Sequence, residues 1–315
     1  MAAPAPTART LAGRHLLRIA DWSAAELRAT LAHAVELKQD RDVGAALLPR
    51  RALGLLFRQP STRTRVSFEV AIAQLGGFAV PLAPDELQLA RGESIRDTVT
   101  TLSRYLDALV VRTLDHAELE EIARHATIPV INGLSERAHP CQALADALTI
   151  LERTGRVEGA RVAWVGAGTN VCASLLVLAG KLGLRVRVAS PPGYEPPPAA
   201  VDAARAAAAE SGAELSFTAD PLEAVEGAEA VYTDVWASMG QEAKQERRRR
   251  DLAGYRVDAE LLARAAPEAV VLHCLPAHDG EEITAEILHG PQSAVWDQAE
   301  NRLHVQKAVL AQVVR

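Results

Sequence analysis

Short apolar runs recur along the chain, separated by stretches with helical spacing. The runs at 53–57, 78–82, 108–112, 129–132, 161–165, 185–189, 230–235 and 270–274 are dominated by Val, Leu and Ala and predict strands. Most are apolar along their length rather than alternating, as in strands buried on both faces. Segments 66–75, 95–105, 117–125, 142–152, 171–182 and 200–211 predict helices, the first stopped by Gly76-Gly77. Strand–helix alternation implies α/β architecture with parallel sheets. Segment 139–154 parts the strands into two sets of about four and predicts a helix bridging two doubly wound domains. A last helix at 300–314, apolar at Leu303, Ala308, Leu310 and Val313, is expected to return to the first domain. The expected division is 1–148 with 299–315, and 149–298.

Composition narrows the class. The chain has 315 residues, 49% of them apolar, enough for two cores. No apolar run reaches the ~18 residues of a membrane helix. The net charge of −6 argues against nucleic acid as the main partner. The one dense basic run, 247–250, lies among Lys244, Glu246 and Asp251 and reads as a solvated helix face or loop. Three cysteines, Cys141, Cys172 and Cys274, suit a reducing compartment better than disulfides. Residues 1–12 lack the apolar core of a secretion signal, so a cytoplasmic protein is expected.

The candidate chemistry follows the strands, where open α/β sheets bind ligands. Pro60-Ser61-Thr62-Arg63-Thr64-Arg65 comes after the first strand and opens a helix. Unpaired N–H groups, hydroxyls and guanidinium forks together suit a phosphate. Simple N-capping by Ser61 is the plainer alternative and explains only one hydroxyl. His139-Pro140-Cys141-Gln142 and His273-Cys274-Leu275-Pro276-Ala277-His278 pair His with Cys, but neither has the ligand spacing of a zinc site. A Cys–His nucleophile pair and small buried cysteines remain alternatives. Gly166-Ala167-Gly168-Thr169-Asn170 follows a strand, yet Val171 stands where a dinucleotide fingerprint needs its third glycine. The next strand ends at Ala189-Ser190 without an acid for a ribose. The glycines then serve a tight turn, with Asn170 facing a ligand. Asp234 ends a strand, where it pairs an ammonium group or caps a helix. Arg302, in Ala299-Glu300-Asn301-Arg302, is read at the start of the last helix, within reach of an anion.

Taken in order and spacing, these segments resemble the aspartate/ornithine carbamoyltransferase family from about residue 14 onward. Gly92-Glu93-Ser94-Ile95-Arg96-Asp97-Thr98 and Tyr232-Thr233-Asp234-Val235-Trp236 add to the likeness, and Ser238-Met239-Gly240 resembles the ornithine branch. The resemblance implies a first domain for carbamoyl phosphate, a second for the amino acid, and a homotrimer or a larger assembly of trimers. It implies that Ser61, Thr62, Arg63 and Thr64 hold the phosphate, joined by Gln88 from a neighbouring subunit. Arg112 would bridge phosphate and carbonyl. His139, Pro140, Cys141 and Gln142 would meet the carbamoyl end, Cys274 and the Leu275 carbonyl would flank the reacting centre, and Arg302 would close over the substrate. Asn170, Asp234, Ser238 and Met239 would receive ornithine. Thr64, Arg112, His139 and Cys274 are the implied catalytic set.

The activated donor makes a cofactor, a metal and a covalent enzyme intermediate unnecessary in this scheme. Ala167, Thr169 and Asp279 depart from the ornithine-branch pattern at the second-substrate side. Putrescine, N-acetylornithine and aspartate are rival acceptors. A silent anion-binding protein on the same scaffold and a dehydrogenase are rival classes.

Overall fold

The computed structural model describes residues 11–40, 42–236 and 245–314. The chain divides into two compact units. One runs to Leu144 and resumes at Arg302; the other is Ala145–Asn301.

The first unit opens with α1 (Ala24–Gln39), whose cap is written in the sequence. Ser23 accepts the N–H of Glu26, and the Glu26 carboxylate accepts the N–H of Ser23. The sheet comprises β1 (Ala52–Phe57), β2 (Phe78–Leu82), β3 (Ala108–Arg112) and β4 (Val130–Leu134), all parallel, in the order β2-β1-β3-β4. Between them run α2 (Thr62–Gln74), α3 (Ile95–Tyr105) and α4 (His116–His125). β3 is buried along its whole length, as a central strand must be. Leu56, Leu109 and Val111 pack with Val99, Leu119 and Ile122 in one core cluster. After β4 comes α5 (Pro140–Thr154), within which the division between the units falls.

The second unit carries β5 (Arg161–Val165), β6 (Arg185–Ala189), β7 (Glu214–Thr218), β8 (Ala230–Thr233) and β9 (Val270–His273), parallel, in the order β7-β6-β5-β8-β9. α6 (Asn170–Leu182) is buried almost throughout and α7 (Pro198–Ser211) lies against it. Their approach is close enough that a Cβ at Gly180 would fall 2.3 Å from the Ala204 carbonyl oxygen. Short helices α8 (Pro221–Val225), α9 (Gln245–Leu252), α10 (Ala259–Leu262) and α11 (Ala285–Leu288) complete it. The last helix, α12 (Val295–Val313), enters the first unit at Arg302. There the Val313 carbonyl accepts the N–H of Gly13 and the Leu37 carbonyl accepts from Lys307 Nζ.

The parallel α/β class is the predicted one. The differences are local. The second sheet has a fifth strand, β7, whose sequence Glu-Leu-Ser-Phe-Thr is largely exposed and lacks the apolar run of its neighbours. α1, α8, α10 and α11 lie outside the predicted helices, and α9 coincides with the basic run read as a helix face or loop. β8 and β9 stop at Thr233 and His273, short of the expected ends. The basic run 247–250 lies on α9, where Arg249 pairs with Glu281 and Arg247 with Asp251.

Candidate active site

In the first unit, strand register brings the chemistry together. Phe57 pairs with Arg112 and Arg112 with Leu134, so the carboxyl ends of β1, β3 and β4 lie side by side. Ser61 caps α2, its hydroxyl accepting the Thr64 N–H at 3.3 Å. Thr62 is exposed and Arg63 half-buried in the first turn, while Arg65 turns outward to Glu69 at 3.3 Å. Thr64 is 1% exposed, and two guanidinium groups reach its hydroxyl: Arg302 Nη2 at 2.7 Å and Arg112 Nη1 at 3.5 Å. Arg302 Nη1 also donates to Gln142 Oε1 at 2.9 Å. Both arginines are buried. Arg302 is not at a helix start, as the sequence suggested, because α12 begins at Val295. It reaches the cluster as a long side chain from the helix interior, not by way of a helix N-terminus.

His139 is buried beside these cations. Burial, then Arg302, then Arg112 hold its ring well below the usual 6.5, so it is neutral at physiological pH. Pro140 opens α5, where its missing N–H costs nothing. Burial pushes the Cys141 thiol up to about 12, against a smaller opposing pull from Arg302. That makes it a small core side chain rather than a nucleophile. Gln88 opens a single 3₁₀ turn (Gln88–Arg91) and is exposed. No hydrogen bond among the described residues ties its side chain to the Thr64 cluster.

In the second unit, Val165 pairs with Thr233 and Thr233 with His273, so the ends of β5, β8 and β9 are neighbours. Asp234 follows β8 and is 5% exposed. Its Oδ1 accepts from Val235 N at 2.8 Å and Cys274 Sγ at 3.0 Å, and its Oδ2 from Thr169 Oγ1 at 2.8 Å. Asn170 starts α6, capped by Thr169. The glycine-rich turn is filled by the protein itself. A Cβ at Gly168 would lie 2.2 Å from the Pro196 nitrogen, and the Gly168 N–H donates to the Tyr194 carbonyl at 2.7 Å. Ser238 and Met239 lie outside the described residues.

The turn holding Cys274 and Leu275 rests on His273 and, behind it, on groups the sequence did not single out. Leu275 has φ 59°, a conformation unusual for a branched residue, and its N–H donates to His273 Nδ1 at 2.8 Å. His273 Nε2 must then carry the proton, which it directs at Glu282 Oε1, 3.1 Å away. The His273 N–H donates to Gln298, which donates to the buried Asp146 at 2.6 Å. Glu282 and Asp146 read as ordinary acids in sequence; only burial reveals them. His278, Glu281 and Glu282 gather possible metal-ligand atoms within 4.8 Å of one another. Glu281 is engaged by Arg249 and Glu282 by His273. No helix of the described residues is long and apolar enough to cross a membrane.

Two family models match the chain, one after the other. A family model described as the carbamoyl-P binding domain of aspartate/ornithine carbamoyltransferase matches residues 14–152, and the Asp/Orn binding domain matches 158–313. The chain is 53% identical to an ornithine carbamoyltransferase of Symbiobacterium thermophilum over 97% of this chain and 99% of that one. It is 51% identical to one of Methanoculleus marisnigri over 96% and 97%. The solved ornithine carbamoyltransferase of Pyrococcus furiosus superposes with a TM-score of 0.93 at 51% identity, covering 96% of this chain and 98% of that one.

Proposed function

The chain belongs to the aspartate/ornithine carbamoyltransferase family, and we propose that it transfers the carbamoyl group of carbamoyl phosphate to the δ-amine of L-ornithine, giving L-citrulline and phosphate. The observation that carries the donor half is the convergence of Arg112 and Arg302 on Thr64 at the capped start of α2. Two buried cations and the positive end of a helix dipole favour a doubly charged phosphate there. In this reading Ser61, Thr62, Arg63 and Thr64 bind the phosphate, and Gln88 joins them from a neighbouring subunit of a trimer. Support for a subunit contact comes from Val66, Val70, Phe78 and Tyr105, large apolar side chains exposed on the first unit. Cys274 and the Leu275 carbonyl serve the carbamoyl end, and Asn170, Asp234, Ser238 and Met239 bind ornithine.

The neutral δ-amine attacks the carbonyl carbon. The new C–N bond forms, negative charge gathers on the carbonyl oxygen, and the C–O bond to phosphate then breaks, the departing phosphate taking the proton that the amine nitrogen gives up. Thr64, Arg112 and the neutral His139 stabilise the oxyanion; removing one such donor from comparable sites costs about 3 to 4 kcal/mol. Arg302, gripping Thr64 and Gln142, holds the donors in place. An alkylammonium titrates at about 10, so only the minor neutral amine reacts and turnover rises with pH through the neutral range. Nothing in this route calls for a metal, a cofactor or a covalent intermediate, and the reading carries a cytoplasmic enzyme.

The test is an assay of the purified chain with carbamoyl phosphate and ornithine, putrescine, N-acetylornithine or aspartate, scoring carbamoylated product and phosphate. Ornithine should give the highest kcat/KM; a faster putrescine reaction would overturn the assignment.

A further inference from the structure

The hydroxyl of Thr169 has one hydrogen and a definite use for it. Its oxygen accepts the Cys172 N–H at 3.4 Å as the cap of α6, so the hydrogen is left to point at Asp234 Oδ2, 2.8 Å away. On the other side of the carboxylate, Oδ1 already accepts from Val235 N and from Cys274 Sγ. A carboxylate oxygen offers about two lone-pair positions. Oδ1 is therefore filled, and among the described residues Oδ2 retains one acceptor direction.

We propose that Thr169 is the positioning residue for Asp234: its hydroxyl fixes Oδ2 so that the remaining acceptor direction receives an ammonium group of the second substrate. The terminal torsion of an aspartate is soft and roughly two-fold. Val235 and Cys274 anchor only Oδ1, which leaves the plane of the carboxylate free to pivot about it. Thr169 supplies the second anchor and is itself held as the cap of a buried helix, so the anchor is rigid. This inference rests on the ornithine reading of the second unit and deepens it.

The experiment is steady-state kinetics of the full chain with carbamoyl phosphate and ornithine for wild type, Thr169→Val, Thr169→Ser and Thr169→Gly, with thermal midpoints measured alongside. Loss of a hydrogen bond to a charged group should raise the ornithine KM of Thr169→Val by about ten- to a hundredfold, with the carbamoyl phosphate KM unmoved. Thr169→Ser should restore most of the loss. Thr169→Val also removes the helix cap, so Thr169→Gly decides if the valine variant folds poorly. Glycine is tolerated as an N-cap at little cost but has no hydroxyl to offer Asp234. Ornithine saturation like wild type in Thr169→Gly, or both KM values rising in proportion, would overturn the proposal. A wild-type protein that makes no citrulline would instead overturn the parent reading, a result distinguishable from variants indifferent to residue 169.

Discussion

At the scale of residues, the donor half depends on side chains that each serve two partners. Arg302 holds Thr64 through one nitrogen and Gln142 through another. A lysine is a point charge and cannot span both acceptors. Arg302→Lys should therefore raise the KM for carbamoyl phosphate at least about tenfold, by loss of a hydrogen-bonded charge contact, while the thermal midpoint moves little. Initial-rate kinetics with ornithine saturating would check this. The hydroxyl-guanidinium run after β1 was legible because its residue types are rare together and its place after a strand is fixed by the α/β pattern. Arg302 was legible as a candidate but not as a geometry. Residues 295–299 carry no strong start signal, so the sequence pattern begins the helix later than its true start at Val295. Thr169, Glu282 and Asp146 gain their meaning from partners distant in sequence, such as Asp234, His273 and Gln298.

At the scale of elements, each candidate residue owes its place to where a strand stops. The apolar pattern puts Asp234 and Cys274 within or at the ends of longer strands; in the structure both follow shorter ones. The Asp234 carboxylate takes the N–H of Val235, and Leu275 turns to positive φ, so the chain leaves the ladder at these points. An exposed edge strand such as β7 needs no continuous apolar run, so the apolar pattern does not mark it, whereas the capping box of α1, Ser23 with Glu26, is a signal carried by the sequence. The start of α6 is the tightest junction. Gly168→Ala would drive a methyl into the Pro196 backbone, which has no rotamer by which to yield. The expected loss is about 1 to 3 kcal/mol, the usual cost of overpacking, read as a lower urea midpoint. The ornithine KM should rise with it, because α6 carries Asn170.

At the scale of the whole molecule, charge state and topology govern behaviour. His15, His33, His116 and His139, all in the first unit, have rings held below 6.5, burial being the largest cause for each. In the window beneath 6.5 the unfolded chain binds protons that the folded chain refuses, so stability is full above 6.5 and falls as the pH drops. Urea midpoints measured from pH 7.5 to 5.5 should decline, and His139→Gln should show the shallower decline. The α/β class and parallel strand pairing were legible because strand–helix alternation admits few other solutions. Parallel pairing also has a kinetic consequence. No two adjacent strands of either sheet are joined by a hairpin: α2 intervenes between β1 and β2, α4 between β3 and β4, and α6 between β5 and β6. Every rung therefore waits for a distant stretch of chain to come back, and nothing local can zip the sheets together. Refolding from urea belongs in the slow regime of nonlocal topologies. Until the last crossover closes, bare strand edges are open to neighbouring molecules, so recovery of native protein should fall as the chain concentration rises.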